Sequence, residues 1–292
     1  MKQLVLAAVA TALSASFALA DTEWKKLVTP AELAAIDGVT VVDIRDPKAF
    51  ATAHLPGAVN APYGAWRGPA NNPGQPLSDT ALTALLQASG LDHDDQVVVA
   101  HAGVNQTDFG AAARVYWTLK SAGFPQIAIL NGGVRGWVAA GEPLSVEIAP
   151  VTPSTQTFTL SDEWAVDGRT VAAMVAGERK ATLVDARPDA FFAGQAKHPA
   201  AKAAGTLKGA KNLPFAGWFD GNATEIADAT HAGTVAANLD TDGEIVSFCN
   251  TGHWAATNWF ALSELAGKDN VKLYPESMVG WVNGGGDAVA GQ

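Results

Sequence analysis

The chain has 292 residues, of which 48% are hydrophobic and 16% are charged, and its formal net charge is −10. This composition supports about two ordinary domains with apolar cores and excludes a disordered polymer. The acidic balance and the absence of a basic stripe argue against nucleic acid as a partner.

The first twenty residues have the pattern of a secretory signal peptide. Lys2 gives a positive start, residues 4–17 are mostly Leu, Val and Ala, and Ala18-Leu19-Ala20 is a small-x-small cleavage site. The apolar run is too short for a membrane span, and no later stretch reaches the ~18 continuous apolar residues that a span requires. We therefore expect cleavage after Ala20, export to the periplasm if the source is bacterial, and no association with a membrane.

Strands alternate with helices in the first half of the chain. Thr29-Pro30, followed by Glu32, has the pattern of a capped helix start. The other predicted elements are a strand at 39–43, a short helix and a Pro-Gly turn within 50–60, a helix at 78–89, a strand at 96–100, a helix at 111–122 and a strand at 127–130. Such alternation predicts a parallel sheet with helices on both faces.

The same order recurs in the second half, which indicates a duplicated domain. The strand-Asp-x-Arg pattern of 41–45 returns at 183–187, residues 55–62 at 207–214, the strand 97–100 at 245–248, and Gly136-Trp137 at Gly280-Trp281. We therefore predict an α/β protein with a signal peptide at 1–20, a first domain at 21–148, a Pro/Thr/Ser-rich linker at 149–160 and a second domain at 161–292.

The only cysteine, Cys249, lies between the predicted strand 245–248 and a helix predicted from Ala255 to about Leu265. Loop N–H groups and the positive end of the helix dipole both favour a thiolate over a thiol at this place. Ligands of such sheets bind at the carboxyl ends of the strands. A reactive sulfur is therefore the functional hypothesis for Cys249, and a buried structural cysteine is the alternative.

Three sets of motifs resemble those of the rhodanese family in its two-domain form, and the resemblance covers residues 29–281. They are Phe50-x-x-x-His54-Leu55-Pro56-Gly57-Ala58, Arg114-Val115-Tyr116-Trp117-x-Leu119 followed by Leu130-Asn131-Gly132-Gly133-x-x-Gly136-Trp137, and Cys249-Asn250-Thr251-Gly252. The resemblance implies two tandem rhodanese-like domains, each a parallel sheet flanked by helices on both faces, and no cofactor.

The resemblance also implies a reaction, in which Cys249 takes a sulfur atom from thiosulfate or 3-mercaptopyruvate as a persulfide. An external acceptor such as cyanide, a thiol or a protein then removes that sulfur. Arg187 is the candidate cation for the donor, and an ion pair with Asp185 is the alternative for this side chain. The other predicted substrate-binding residues, whose backbone N–H groups would hold the anion, are Asn250, Thr251, Gly252, His253 and Trp254.

The loop departs from the family pattern because it lacks the basic side chains of thiosulfate-using members. Mercaptopyruvate-using relatives have less basic loops, so both donors stay open. His253 is the candidate positive group in mildly acid surroundings. His101 replaces Cys249 in the first domain, which is therefore predicted to be non-catalytic and to contribute packing that closes a cleft.

Two other enzyme classes fit poorly. Phosphatases and arsenate reductases of this fold need a Cys-x5-Arg loop, whereas the sixth residue after Cys249 is Ala255. The six histidines show no metal-ligand spacing, so no metal site is predicted. The remaining alternative is a persulfide carrier or redox sensor in which Cys249 holds sulfur without rapid turnover.

Overall fold

The computed structural model of the chain describes residues 24–239 and 243–292. The predicted signal peptide at 1–20 lies outside the described residues. Within the two described ranges, no helix combines the length and the apolar character needed to cross a membrane.

Strands and helices alternate along the described chain, as the sequence predicts. The strands are β1 (Leu27–Val28), β2 (Thr40–Asp43), β3 (Val59–Asn60), β4 (Gln96–Ala100), β5 (Gln126–Leu130), β6 (Thr182–Asp185), β7 (Lys211–Asn212), β8 (Ile245–Phe248) and β9 (Val271–Leu273). The helices are α1 (Pro30–Ala34), α2 (Pro47–Thr52), α3 (Asp79–Ala88), α4 (Gln106–Ser121), α5 (Gly133–Ala139), α6 (Gly168–Val175), α7 (Asp189–Phe192), α8 (Ala229–Ala237), α9 (Trp254–Phe260) and α10 (Ser277–Asn283).

The strands form two separate sheets in which all neighbouring strands are parallel. The first sheet has the order β1-β5-β4-β2-β3, and the second has the order β7-β6-β8-β9. Read from its other edge, the second sheet has the order β9-β8-β6-β7, which corresponds to β5-β4-β2-β3 of the first. A single parallel bridge between Ala165 and Leu273 takes the place of β1. The predicted duplication and the predicted parallel sheets are confirmed.

Alternate residues of β4 are buried on opposite faces of the first sheet. Val97 and Val99 belong to an apolar cluster that includes Leu82 of α3, whereas Val98 belongs to a second cluster that includes Phe50 of α2. Both faces are therefore covered by helices, which is why the strand is an uninterrupted apolar run.

The two domains share one apolar core, formed where α4 packs against α9. The Phe260 ring meets the Phe109 and Tyr116 rings at centroid distances of 5.6 and 5.0 Å. At the edge of this contact, Glu264 accepts a hydrogen bond of 2.8 Å from the Tyr116 hydroxyl and forms an ion pair of 2.6 Å with Lys120. Because α4 and α9 each follow the loop at the end of β4 or β8, this packing brings the two loops together.

The sequence placed the start of α4 too late, at residue 111 instead of Gln106. The Asn105 side chain caps the helix by accepting hydrogen bonds of 2.8 and 3.2 Å from the N–H groups of Thr107 and Asp108. The helix after Cys249 extends to Leu265 as predicted, but its last turn is a π-helix.

The predicted linker has no regular secondary structure and lies against α3. The Phe158 side chain is buried, and its backbone N–H donates to Thr83 Oγ1 over 2.9 Å. Gln87 Nε2 donates to the carbonyl oxygen of Gln156 over 2.9 Å. The segment that joins the domains is therefore attached to the first of them.

Replacing Phe260 by alanine should destabilise the whole protein, because Phe260 is fully buried between the domains. We expect the free energy of unfolding to fall by about 3–5 kcal/mol, measured by urea denaturation. Val104→Ala is the control, since Val104 is 56% exposed and its truncation should change the free energy by less than about 0.5 kcal/mol. Equal effects of the two variants would contradict a shared core.

Candidate active site

Cys249 lies directly after β8, at the carboxyl edge of the second sheet, and is only 1% exposed. It borders a cavity of about 200 Å³ between the domains. The residues that line this cavity are Thr107, His198, Cys249, Asn250, Thr251, His253 and Trp254. The structure thus brings four predicted binding residues together with the thiol, while Gly252 and Arg187 are not part of the lining.

Ser277, which the sequence did not single out, holds the cysteine loop from below. Its hydroxyl accepts hydrogen bonds of 3.0 Å from the N–H groups of both Cys249 and Gly252 and donates to the carbonyl oxygen of Tyr274 over 2.9 Å. The Gly252 N–H therefore points to Ser277, contrary to the expectation that it holds the anion. Within the described chain, the N–H groups of Asn250 and Thr251 have no such acceptor.

A comparison of the two halves of the sequence would have revealed Ser277, because Gly133 occupies its place in the first domain. Both residues have left-handed backbones, with φ of +53° and +59°. The next residue donates its N–H to the preceding loop in both domains, to Cys249 over 3.0 Å and to His101 over 2.8 Å. A non-glycine residue in this conformation is strained, and here the strain accompanies a hydroxyl under the loop.

His253 is neutral, and the expectation of a positive charge in mildly acid surroundings is wrong. Its Nε2 donates to the carbonyl oxygen of Thr107 over 2.7 Å, and in the neutral ring its Nδ1 then accepts from the Tyr63 hydroxyl over 2.8 Å. Burial, reinforced by the charge of Arg67, lowers the pKa of His253 to about 4. The imidazole therefore joins the domains through two hydrogen bonds and carries no charge near neutral pH.

Trp254 forms one wall of the cavity. Its ring stacks on Phe215 at a centroid distance of 4.9 Å, and its Nε1 donates to Thr107 Oγ1 over 3.2 Å. An indole fixed in this way restricts the cavity to small molecules.

Arg187 forms the ion pair that the sequence left open as its alternative role. Its Nε and Nη2 donate to the two carboxylate oxygens of Asp185 over 2.8 and 2.6 Å, and Nη2 also donates to the carbonyl oxygen of Gly205. The remaining Nη1 donates to Asn250 Oδ1 over 3.2 Å. Since the side chain is 2% exposed, Arg187 acts on the loop through Asn250 and does not reach the cavity.

Two arginines of the first domain contact the loop instead, and neither of them is among the site residues predicted from the sequence. Arg67 Nη2 donates to the carbonyl oxygen of Thr251 over 2.6 Å. Arg114, which is 1% exposed, donates from Nη1 to the carbonyl oxygen of Gly252 over 3.3 Å. In the sequence, Arg114 is marked only as the first residue of the motif at 114–119, and no local pattern marks Arg67.

His101 occupies the place of Cys249 in the first domain, as the repeat predicts. It borders a second cavity, of about 370 Å³, that shares Thr107 and His253 with the first. The His101 Nδ1 accepts a hydrogen bond of 3.2 Å from the N–H of Gly103, and burial lowers the pKa of His101 to about 4. The first domain therefore presents a buried, neutral imidazole where the second presents a thiol.

The chain matches the model of the rhodanese-like domain twice, over residues 29–140 and 169–284. It is 31% identical over 277 residues to SseB of Mycobacterium tuberculosis, a protein named as an inferred thiosulfate sulfurtransferase, and the match covers 87% of this chain and 93% of that one. It is 28% identical over 217 residues to the sulfur carrier protein TtuD of Thermus thermophilus, covering 71% and 75% of the two chains.

Among solved structures, the 3-mercaptopyruvate sulfotransferase SseA of Escherichia coli superposes with a TM-score of 0.73. The superposition covers 87% of this chain and 98% of SseA at 22% sequence identity, so it shows a common fold.

The fold and the two matches define a protein with tandem rhodanese-like domains. The chain belongs to the rhodanese family.

Ser277→Ala should weaken the loop, because it leaves two buried N–H groups without an acceptor. We expect the free energy of unfolding to fall by about 1–3 kcal/mol and Cys249 to react faster with iodoacetamide. Ser121→Ala is the matched control, since the buried Ser121 hydroxyl has no hydrogen-bond partner within the described chain. A Ser277 variant as stable as the Ser121 variant would show that the hydroxyl does not hold the loop.

Stability should fall in acid partly because His101 is buried as a neutral group. Its pKa is about 4 in the folded protein and near ~6.5 when unfolded, so the unfolded state binds more protons between these values. The contribution of neutral His101 to the free energy of unfolding is complete above pH ~6.5 and is lost as the pH falls towards 4. As the pH falls through this range, the free energy of unfolding should decrease by on the order of 3 kcal/mol less in His101→Gln than in the wild-type protein. Urea denaturation at several pH values measures this difference. An unchanged pH dependence would contradict a neutral His101.

Proposed function

We propose that this protein is a sulfurtransferase that carries a sulfane sulfur on Cys249. The observation that supports the proposal is the position of the only thiol, in a small cavity between the domains and on a loop held by Ser277. The similarity to proteins named as inferred thiosulfate sulfurtransferases supports thiosulfate as the donor, and 3-mercaptopyruvate is the second choice.

In the proposed reaction the Cys249 thiolate attacks the outer sulfur of thiosulfate. The new bond joins the two sulfurs, and the S–S bond of thiosulfate breaks with its electron pair leaving on sulfite. A thiophile such as cyanide then attacks the outer sulfur of the persulfide, forms thiocyanate and regenerates the thiolate. Covalent catalysis of this kind divides one difficult transfer into two displacement steps.

The surroundings of the thiol suit this chemistry. The N–H groups of Asn250 and Thr251 are available to an anion on the outer sulfur. The His198 Nδ1 accepts from the N–H of Ala200 over 3.2 Å, which leaves Nε2 as a donor on the side chain that borders the cavity. Hydrogen-bond donors can thus orient a small anionic donor against Cys249.

The second candidate is a persulfide carrier, which the similarity to the sulfur carrier protein TtuD favours. In a carrier, Cys249 would accept sulfur and release it only to a partner protein. The 1% exposure of Cys249 favours small-molecule partners, because a protein acceptor would have to reach into the cavity.

The deciding experiment is the intact mass of the purified protein before and after exposure to each donor. We expect thiosulfate to add one sulfur atom with release of one sulfite, and cyanide to remove that atom as thiocyanate with repeated turnover. Since the chain has a single cysteine, Cys249→Ser is the matched control and should gain nothing.

Each other result has a definite meaning. A gain only with 3-mercaptopyruvate would change the donor, and a stable persulfide that cyanide cannot discharge would favour the carrier. No gain with either donor would overturn the sulfurtransferase proposal.

A further inference from the structure

Arg67, which is half-buried, and Arg114, which is buried, are unusual among the arginines withdrawn from solvent because they lack a carboxylate partner. Arg45 and Arg187 are each paired with the aspartate two residues earlier, at 2.6 Å. In the described ranges, no carboxylate oxygen lies within 4.0 Å of the Arg67 or Arg114 guanidinium. Burying a cation without a counter-ion carries a large desolvation cost.

Within the described chain, the hydrogen-bond and ring partners of the two guanidinium groups are backbone oxygens and aromatic rings. Arg67 donates to Thr251, and Arg114 donates to Gly252 and, over 2.9 Å, to Gly74. Arg67 also lies over the Tyr63 ring at 5.2 Å. Arg67 Nη1 and Arg114 Nε are buried and have no acceptor in the described chain. These contacts satisfy part of the hydrogen-bonding capacity and leave both positive charges unbalanced.

Cys249 is the group that can balance them. Burial and the charge of Arg67 lower the pKa of Arg114 to about 9, and negative charge on Tyr63 or Cys249 opposes this effect. Burial raises the pKa of Tyr63, which keeps its hydroxyl neutral. Tyr63 therefore does not supply the negative charge, and the remaining candidate is the thiol of Cys249, which lies on the loop that both arginines contact.

We propose that Arg67 and Arg114 are the counter-cations of the Cys249 anion, as thiolate and as persulfide, so that the first domain supplies the positive charge of the active site. They act through the electrostatic field and by orienting loop peptides, and they are positioning residues. The persulfide part rests on the proposed function, whereas the thiolate part does not.

The same contacts orient two peptide groups of the loop. The carbonyl of Thr251 points to Arg67, so the N–H of the same peptide points the opposite way, to Ser277. The carbonyl of Gly252 points to Arg114. A Cβ atom on Gly252 would lie 2.3 Å from Arg114 Nη1, so only glycine permits this approach.

The two histidines of the described chain that border the cavity with Cys249 do not act as counter-cations of the thiol. The charge of Arg67 contributes to the lowered pKa values of both His198 and His253, for which burial is the main cause. Lys197 is a cation whose charge also contributes to the lowered pKa of His198, but its Nζ donates to the carbonyl oxygen of Ala201 over 2.7 Å, outside the cysteine loop. Glu276, whose backbone packs over Gly74, is a nearby carboxylate. It accepts a hydrogen bond of 2.6 Å from Asn72 Nδ2 and forms no ion pair with Arg114.

The test is the pH dependence of Cys249 alkylation by iodoacetamide, which needs no sulfur donor. We expect the pH at which half of the thiol is ionised to rise by about 1–2 units in Arg67→Gln and in Arg114→Gln. At pH values below the wild-type midpoint, these variants should be alkylated about tenfold or more slowly than the wild-type protein. Arg114→Lys, which keeps the charge, should have a midpoint close to that of the wild-type protein.

Arg169→Gln is the matched control, because the Arg169 side chain is 96% exposed. Near-UV circular dichroism identifies the variants that are folded, and Arg67→Gln at the half-buried position provides the test if Arg114→Gln does not fold. An unchanged midpoint in a folded Arg67 or Arg114 variant would overturn the proposal, even if turnover were lost. A raised midpoint in a protein without sulfurtransferase activity would support the proposal while the proposed function failed.

Discussion

The packing of α4 against α9 is the contact on which the site depends. Each helix follows the loop at the end of a central strand, so a core that joins the helices also fixes one loop against the other. Tyr116 and Phe260 meet within this core, and Arg114 projects from the same helix as Tyr116. The site is therefore a property of the two-domain unit, although its only thiol lies in the second domain.

The duplication separates structural features from those specific to the cysteine loop. The Asp-x-Arg ion pair is present in both domains, with Asp43 and with Asp185, which marks it as part of the fold. By contrast, the left-handed position under the loop is Gly133 in one domain and Ser277 in the other. Only the domain with the thiol has a hydroxyl there, so this difference belongs to the site.

Charge and hydrogen bonding are divided between the two sides of the loop. The side chains that border the cavity with Cys249 are neutral near pH 7, whereas the cations lie behind the loop and contact its carbonyl oxygens. In the proposed role, such an arrangement would stabilise an anion on sulfur without placing a guanidinium where a donor or an acceptor must enter. It also brings two cations of the first domain, in which His101 replaces the cysteine, into contact with the cysteine loop of the second.

Local patterns determined much of this protein from sequence alone. The apolar strands, the capping of α1, the duplicated order and the cysteine at the end of β8 all depend on residues close together in the chain, and the structure confirms them. The tertiary structure decided the protonation of His253 and the contacts of Arg67, Arg114 and Ser277 with the cysteine loop. Arg67 and Arg114 contact the loop across 184 and 138 residues of chain, and burial between domains sets the histidine pKa. Neither a long-range contact nor the desolvation it causes leaves a periodic signal in the sequence.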